Sequence, residues 1–150
     1  MRHVLLILAM LLLMPRLAHA ARDAAACVAE HGQAAQGDAG DEAARAAFKS
    51  CALREYGTAA EPRIEACTGD LYTLPVILLY RSDGLSRAAA WADMNRDAQL
   101  DDGSDEARRA PRMLDFAYLG AGPVAGKSEA WISQRVNEWT DRCLRGLVSK

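Results

Sequence analysis

Several features that would point directly to a function are scarce or missing in this sequence. Beyond residue 20 the most apolar stretch, 71–80, has ten residues and includes a proline, whereas a bilayer span needs about 20. Only one histidine, His31, lies beyond residue 20, and no two cysteines form a close CxxC pair, so the spacing typical of a zinc site is lacking. These absences argue against a second membrane span and a zinc site.

The charge balance has no basic excess. The chain has 18 Lys and Arg residues against 20 Asp and Glu residues, a net charge of −2. An acidic chain repels phosphate backbones and anionic lipid surfaces. We therefore expect no nucleic-acid partner.

The first twenty residues have the three parts of a secretory signal peptide. Basic residues stand at positions 2 and 3, residues 4–14 are an unbroken apolar run, and Ala18 and Ala20 offer the small side chains that signal peptidase accepts. A membrane anchor is the alternative, but the apolar run is shorter than a span of about 20 residues. The sequence predicts a cleaved signal peptide over residues 1–20.

Cleavage would leave one domain, residues 21–150, in the periplasm or outside the cell, with no membrane span. Removing Arg2 and Arg16 leaves 16 basic and 20 acidic residues, a net charge of −4. A lipoprotein anchored at Cys27 is an alternative, because three alanines precede that cysteine, but Arg16, Arg22 and Asp23 separate it from the apolar run.

Four cysteines, an even number, lie in the predicted mature part: Cys27, Cys51, Cys67 and Cys143. In an exported chain this count favours two disulfides. Four cysteines allow three connectivities. A helical hairpin turning near residue 38 would bring Cys27 to Cys51, which leaves Cys67 with Cys143, and the chain-entropy model rates that long loop at roughly 4 kcal/mol. This connectivity is favoured.

Alanine is abundant and apolar residues recur every three to four positions, so the sequence predicts helices. We expect helices over about 21–36, 38 or 41–56, 62–84, 86–94, 104–119 and 128–147, with a polar loop at 95–103 and a linker at 120–126. Gly57 is expected to end the second helix with a left-handed cap, and Pro75 to kink the third without ending it. The predicted fold class is all-α, a compact bundle of five to six helices stapled by two disulfides.

Three apolar stripes are expected to face the core. They are Ile64, Cys67, Leu71, Leu74 and Leu78 on the third helix; Met113, Leu114, Phe116, Ala117 and Leu119 on the fifth; and Ile132, Val136, Trp139, Cys143 and Leu147 on the last. Helical spacing places each set on one face.

Two stretches resemble a pattern found in small exported helical bacterial proteins of unassigned function. The first runs from Cys67 to the Arg-Ser-Asp-Gly-Leu-Ser segment at 81–86; the second includes Gln134-Arg135, Asn137, Trp139 and Cys143-Leu144. The resemblance covers residues 67–144 and implies a helical domain bracketed by two cysteines, which supports the pairing of Cys67 with Cys143. The first hairpin and the acidic insert at 93–106 depart from the pattern, and the resemblance implies no activity.

An acidic stretch beginning at residue 93 resembles the start of a calcium-binding EF-hand loop. Oxygen-bearing side chains occupy positions 1, 3, 5 and 9 of such a loop, namely Asp93, Asn95, Asp97 and Asp101. Two positions depart from the pattern, because Ala98 replaces the usual glycine and Ser104 replaces the closing glutamate. The alternatives are a weak calcium site and a solvated acidic loop.

No catalytic constellation stands out, so we expect no enzyme activity. Nucleophilic catalysis needs a base beside a serine or cysteine, and His31 is expected near a helix end, interacting with the helix dipole. Export, small size, acidic charge and two disulfides make the architecture similar to immunity and inhibitor proteins of the cell envelope. The sequence therefore predicts a protein-binding module, with a protein partner in the envelope, such as a basic wall-degrading hydrolase.

Overall fold

The computed structural model describes residues 23–37, 39–98, 104–119 and 128–148, and these ranges are almost entirely helical. A short 3₁₀ turn, Thr58–Ala60, separates the second helix from the third. The α-helices are α1 (Ala24–Ala35), α2 (Gly40–Tyr56), α3 (Glu61–Ser82), α4 (Arg87–Ala98), α5 (Asp105–Tyr118) and α6 (Glu129–Leu144). The predicted all-α bundle is confirmed for the part of the chain that the structure describes.

Local signals in the sequence set several helix ends. Asp23 accepts a hydrogen bond from the backbone N–H of Ala26 at 3.0 Å and caps α1. Ser86 and Ser104 do the same for α4 and α5, as predicted. Gly57 ends α2 with φ of 73°, but its ψ of −179° is extended. The expected left-handed cap is therefore replaced by a backbone conformation that essentially only glycine adopts.

Helix α3 is the centre of the bundle and packs against α2, α4, α5 and α6. Pro62 lies in its first turn, where the missing N–H costs nothing. The helix continues through Pro75 to Ser82, as predicted. All five residues of its predicted stripe are buried: Ile64, Cys67, Leu71, Leu74 and Leu78.

Two disulfides join the helices in the favoured connectivity. Cys27 pairs with Cys51 across α1 and α2, with Cα atoms 5.3 Å apart. Cys67 pairs with Cys143 across α3 and α6, with Cα atoms 5.8 Å apart. Both bridges belong to the core, because all four cysteines are buried. The first joins α1 to α2, and the second joins α6 to the central helix α3.

Three predictions that depend on where a helix ends are wrong. Helix α4 continues to Ala98, so residues 95–98 are not loop. Leu119 is 70% exposed, because it follows the end of α5 in extended backbone. Leu147 is 61% exposed, because α6 ends at Leu144 and Gly146, with φ of 74°, turns the chain away from the helical repeat.

Other predicted regions lie outside the described residues. These are the signal peptide (1–20) and the linker (120–126). Among the helices that are described, none combines the length and the apolarity needed to cross a membrane.

Candidate functional site

Two adjoining cavities lie beside α5 and α6. The first, of about 420 Å³, is bounded by these two helices and by the residues that follow α6. The second, of about 490 Å³, also reaches the first half of α3 and is the more enclosed. Both are lined by Arg112, Trp139 and Val148, so they adjoin at these side chains. We name the first the outer cavity, the second the inner cavity, and the two together the arginine groove.

The two cavities differ in their linings. The outer cavity is lined by Arg112, Asp115, Phe116, Leu119, Arg135, Glu138, Trp139, Arg142, Leu147 and Val148. The inner cavity is lined by Pro62, Arg63, Ala66, Asp70, Arg109, Arg112, Trp139, Cys143, Gly146 and Val148. Five of the ten residues that line the outer cavity are charged, whereas six of the ten that line the inner cavity are small or apolar.

Aromatic rings form the floor of the outer cavity. The rings of Phe116 and Trp139 lie 5.0 Å apart, tilted by 58°. The guanidinium of Arg135 lies 3.9 Å from the centre of the Phe116 ring, and that of Arg142 lies 5.6 Å away. Arg135 also donates to the backbone oxygen of Phe116 at 2.6 Å. Cations over a ring face are attracted by its quadrupole, so the floor holds these arginines in place.

The groove has an excess of positive charge. Its five arginines face three carboxylates, and each carboxylate already has a partner: Asp70 pairs with Arg109, Glu138 with Arg135, and Asp115 with Arg87. Three groove arginines are left over, namely Arg63, Arg112 and Arg142. Within the described part of the chain none of these three has a carboxylate partner.

A buried carboxylate, Asp70, lies at the back of the inner cavity, where it is only 2% exposed. It accepts a hydrogen bond from the indole N–H of Trp139 at 2.9 Å and pairs with Arg109. A sulfur of the second disulfide, Cys143 Sγ, lies 3.8 Å from the same carboxylate. Buried charges are tolerated when they are paired and hydrogen-bonded. This cluster joins α3, α5 and α6 at the point where the groove is formed.

Sequence reasoning did not select any of the groove arginines or Asp70. A usable signal was present on α6, where Arg135, Glu138 and Arg142 follow helical spacing beside the predicted core stripe. A second signal was present on α5, where Arg112 and Phe116 are four residues apart and share a face. Trp139 was predicted to be a core residue, and its burial confirms this.

A second polar cluster surrounds His31, which lies inside α1 and is 8% exposed. The helix ends four residues later at Ala35, so His31 lies near a helix end as predicted, but its ring is buried against side chains of α2 and α3. Its Nε2 lies 3.2 Å from the hydroxyl of Tyr72, and that hydroxyl donates to Asp41 at 3.3 Å. The ring also contacts Phe48 edge-on. Because the single hydroxyl hydrogen of Tyr72 is donated to Asp41, His31 serves as the donor to Tyr72.

Stability is expected to fall as the pH drops through the titration range of His31. Burial lowers the pKa of His31 below its ordinary value of 6.5, against an opposing effect of Asp41 and with a smaller lowering by Arg45. The unfolded chain then binds a proton more readily than the folded one, so this contribution is complete above pH 6.5 and is lost as the pH falls toward the lowered pKa.

Urea unfolding of wild type and His31→Gln between about pH 7 and about pH 5 measures this effect. The glutamine amide can still donate to Tyr72 but does not titrate. Wild type should lose more stability across this interval than the variant. Identical pH dependence of the two proteins would contradict the assignment.

The residues of the predicted calcium site are only partly described. Asp93 and Asn95 lie in α4, where alternate residues point about 200° apart, and Asp93 pairs with Arg96. Asp97 is helical, but its side chain is outside the described set, as is all of Asp101. No group of three metal-ligating side chains occurs among the described residues. Calcium binding stays a prediction, and it would require the last turn of α4 to unwind.

The structure thus defines a helical domain, cross-linked by two disulfides, with an arginine-lined groove. Comparison of the chain with protein-family models, with curated proteins and with solved structures finds no match.

Proposed function

We propose that this chain is a small exported protein-binding module, of the immunity or inhibitor type, that acts on a toxin or hydrolase in the cell envelope. The arginine groove is its binding surface. In this proposal the protein works outside the cytosol, in the periplasm or beyond it, where its two disulfides persist.

The observation that carries the proposal is the composition of the groove. Arginine, tryptophan and phenylalanine line it together, and these residue types are enriched where proteins bind one another. Two large apolar side chains, Leu119 and Leu147, border the outer cavity and are mostly exposed. Exposed apolar side chains grouped beside a cavity are a feature of interaction sites, and a partner surface would cover both leucines.

The groove also refines the expected charge of the partner. The acidic net charge of the chain favours encounter with a basic protein. The contact itself is expected to involve a locally acidic and apolar patch of that protein. The reason is that Arg112 and Arg142 have no carboxylate partner among the described residues. The net charge of this chain is therefore negative, whereas the charge of its contact surface is positive. The net charge acts on the approach of the partner, and the groove arginines act at contact distance.

Charge reversal in the groove is expected to weaken partner binding. The double variant Arg112→Glu/Arg142→Glu replaces two carboxylate-binding groups with repelling ones, so binding should weaken by about tenfold or more. The oxidised protein and its variants are immobilised, envelope extract of the source organism is applied, and retained proteins are quantified by mass spectrometry. Any enzyme retained by wild type is then assayed for inhibition by each variant.

A matched control separates groove chemistry from net charge. Lys49→Glu/Arg96→Glu makes the same change in net charge on α2 and α4, at exposed residues that do not line the groove. This control should capture and inhibit the partner as wild type does. Equal capture by the groove variant, or no specific protein retained by wild type, would refute the proposal.

A further inference from the structure

We infer that the arginine groove binds a linear peptide segment of its partner, in which one or two carboxylates lie close in sequence to an apolar side chain. The inference rests on the proposed function and specifies the chemistry of the partner. The apolar side chain enters the inner cavity, and the carboxylates pair with Arg112 and Arg142.

The inner cavity suits an apolar side chain because its polar groups other than Arg112 are already engaged, and Arg63 donates to the backbone oxygen of Leu144. The indole N–H of Trp139 donates to Asp70, so the ring offers only its apolar surface to the cavity. Arg109 donates to Asp70 and to the backbone oxygen of Ala66. With these donors satisfied internally, a polar ligand would gain few hydrogen bonds there and would lose its own hydration.

The outer cavity suits carboxylates because two of its three arginines have no carboxylate partner among the described residues. Arg135 donates to Glu138 and to the backbone oxygen of Phe116, which leaves Arg112 and Arg142. A guanidinium binds a carboxylate through two parallel hydrogen bonds. Arg112 also lines the inner cavity, so the first carboxylate should lie within two residues of the apolar side chain in the ligand sequence.

An extended segment explains the groove better than a simple anion does. An isolated anion would use Arg112 or Arg142 but would leave the inner cavity and the exposed leucines, Leu119 and Leu147, uncovered. A segment that spans both cavities contacts all of them. The pattern it would present is one apolar residue, then acidic residues, then a further apolar contact for these leucines.

Selection from a random peptide library tests the inference directly. The full chain, exported and oxidised, is immobilised and panned with displayed random linear peptides, with counter-selection on Arg112→Glu/Arg142→Glu. Enriched peptides should share an apolar residue with aspartate or glutamate within two residues of it. A selected peptide should bind the Lys49→Glu/Arg96→Glu control as it binds wild type, and should lose about tenfold affinity or more when its carboxylates are replaced by amides.

The outcomes separate this inference from the proposed function. Enrichment of basic or uncharged peptides, or no enrichment, would overturn the linear acidic ligand. In that case the capture experiment decides about the proposed function. If Arg112→Glu/Arg142→Glu does not retain the envelope protein that wild type retains, the proposed function stands and the groove binds a folded surface instead. Undiminished binding of the amide-substituted peptide would also overturn the inference.

Discussion

Removal of the disulfide between Cys67 and Cys143 is expected to lower the free energy of unfolding by about 4–5 kcal/mol. The bridge closes a loop with a sequence separation of 76 residues, and the entropy it removes from the unfolded chain grows with the logarithm of that length. A domain of this size has a stability of about 5–15 kcal/mol. The loss therefore takes a large part of the total.

The bridge between Cys27 and Cys51 is the internal control for this prediction. Its sequence separation is 24 residues, so its removal should cost about 1 kcal/mol less. The two loops do not overlap in sequence, and their contributions are expected to add. Urea unfolding of Cys67→Ala/Cys143→Ala and Cys27→Ala/Cys51→Ala measures both. An equal or larger loss in the second variant would contradict the chain-entropy account.

The two bridges should also differ in their effect on binding. The one at Cys143 lies in the lining of the inner cavity and holds α6, which carries Arg142, against α3. The other lies between α1 and α2 and lines neither cavity. Under conditions where both variants are folded, groove binding should weaken in Cys67→Ala/Cys143→Ala alone.

The backbone of this fold could be predicted because its signals are local. Serine caps at Ser86 and Ser104 fix where α4 and α5 begin. The stripe on α3 keeps helical spacing through Leu78, and every residue in it is buried. The cysteine pairing could be predicted because a helical hairpin brings Cys27 to Cys51, which leaves Cys67 to pair with Cys143. Periodicity and capping act within a few residues, so a single sequence displays them.

The site could not be predicted because its contacts are long-range. Asp70 is 39 residues from Arg109 and 69 from Trp139 in sequence. As a lone acidic residue in an apolar stripe, it gives no sign of either partner. Leu119 and Leu147 were predicted to be core residues because they continue the apolar spacing of their helices. Each of these helices ends before it reaches the leucine. Periodicity alone does not show where a helix stops.

Replacement of Asp70 by alanine is expected to destabilise the protein by about 3–5 kcal/mol, the cost of removing one member of a buried ion pair. The substitution leaves the guanidinium of Arg109 without its carboxylate and the indole N–H of Trp139 without its acceptor. Asp70→Asn retains an acceptor for Trp139 but no charge for Arg109, so it should cost less. Urea unfolding of both variants gives the order.

A double-mutant cycle of Asp70→Leu, Arg109→Met and the two together shows whether the Asp70–Arg109 ion pair or the packing around it stabilises the bundle. If the loss in Asp70→Ala arises from an uncompensated Arg109, then removing both charges in Asp70→Leu/Arg109→Met should recover most of the stability, because apolar residues of similar volume replace buried ion pairs at little cost. A double variant no more stable than Asp70→Ala would show that the cluster stabilises the bundle through the shape of Asp70 and its bond to Trp139, not through charge.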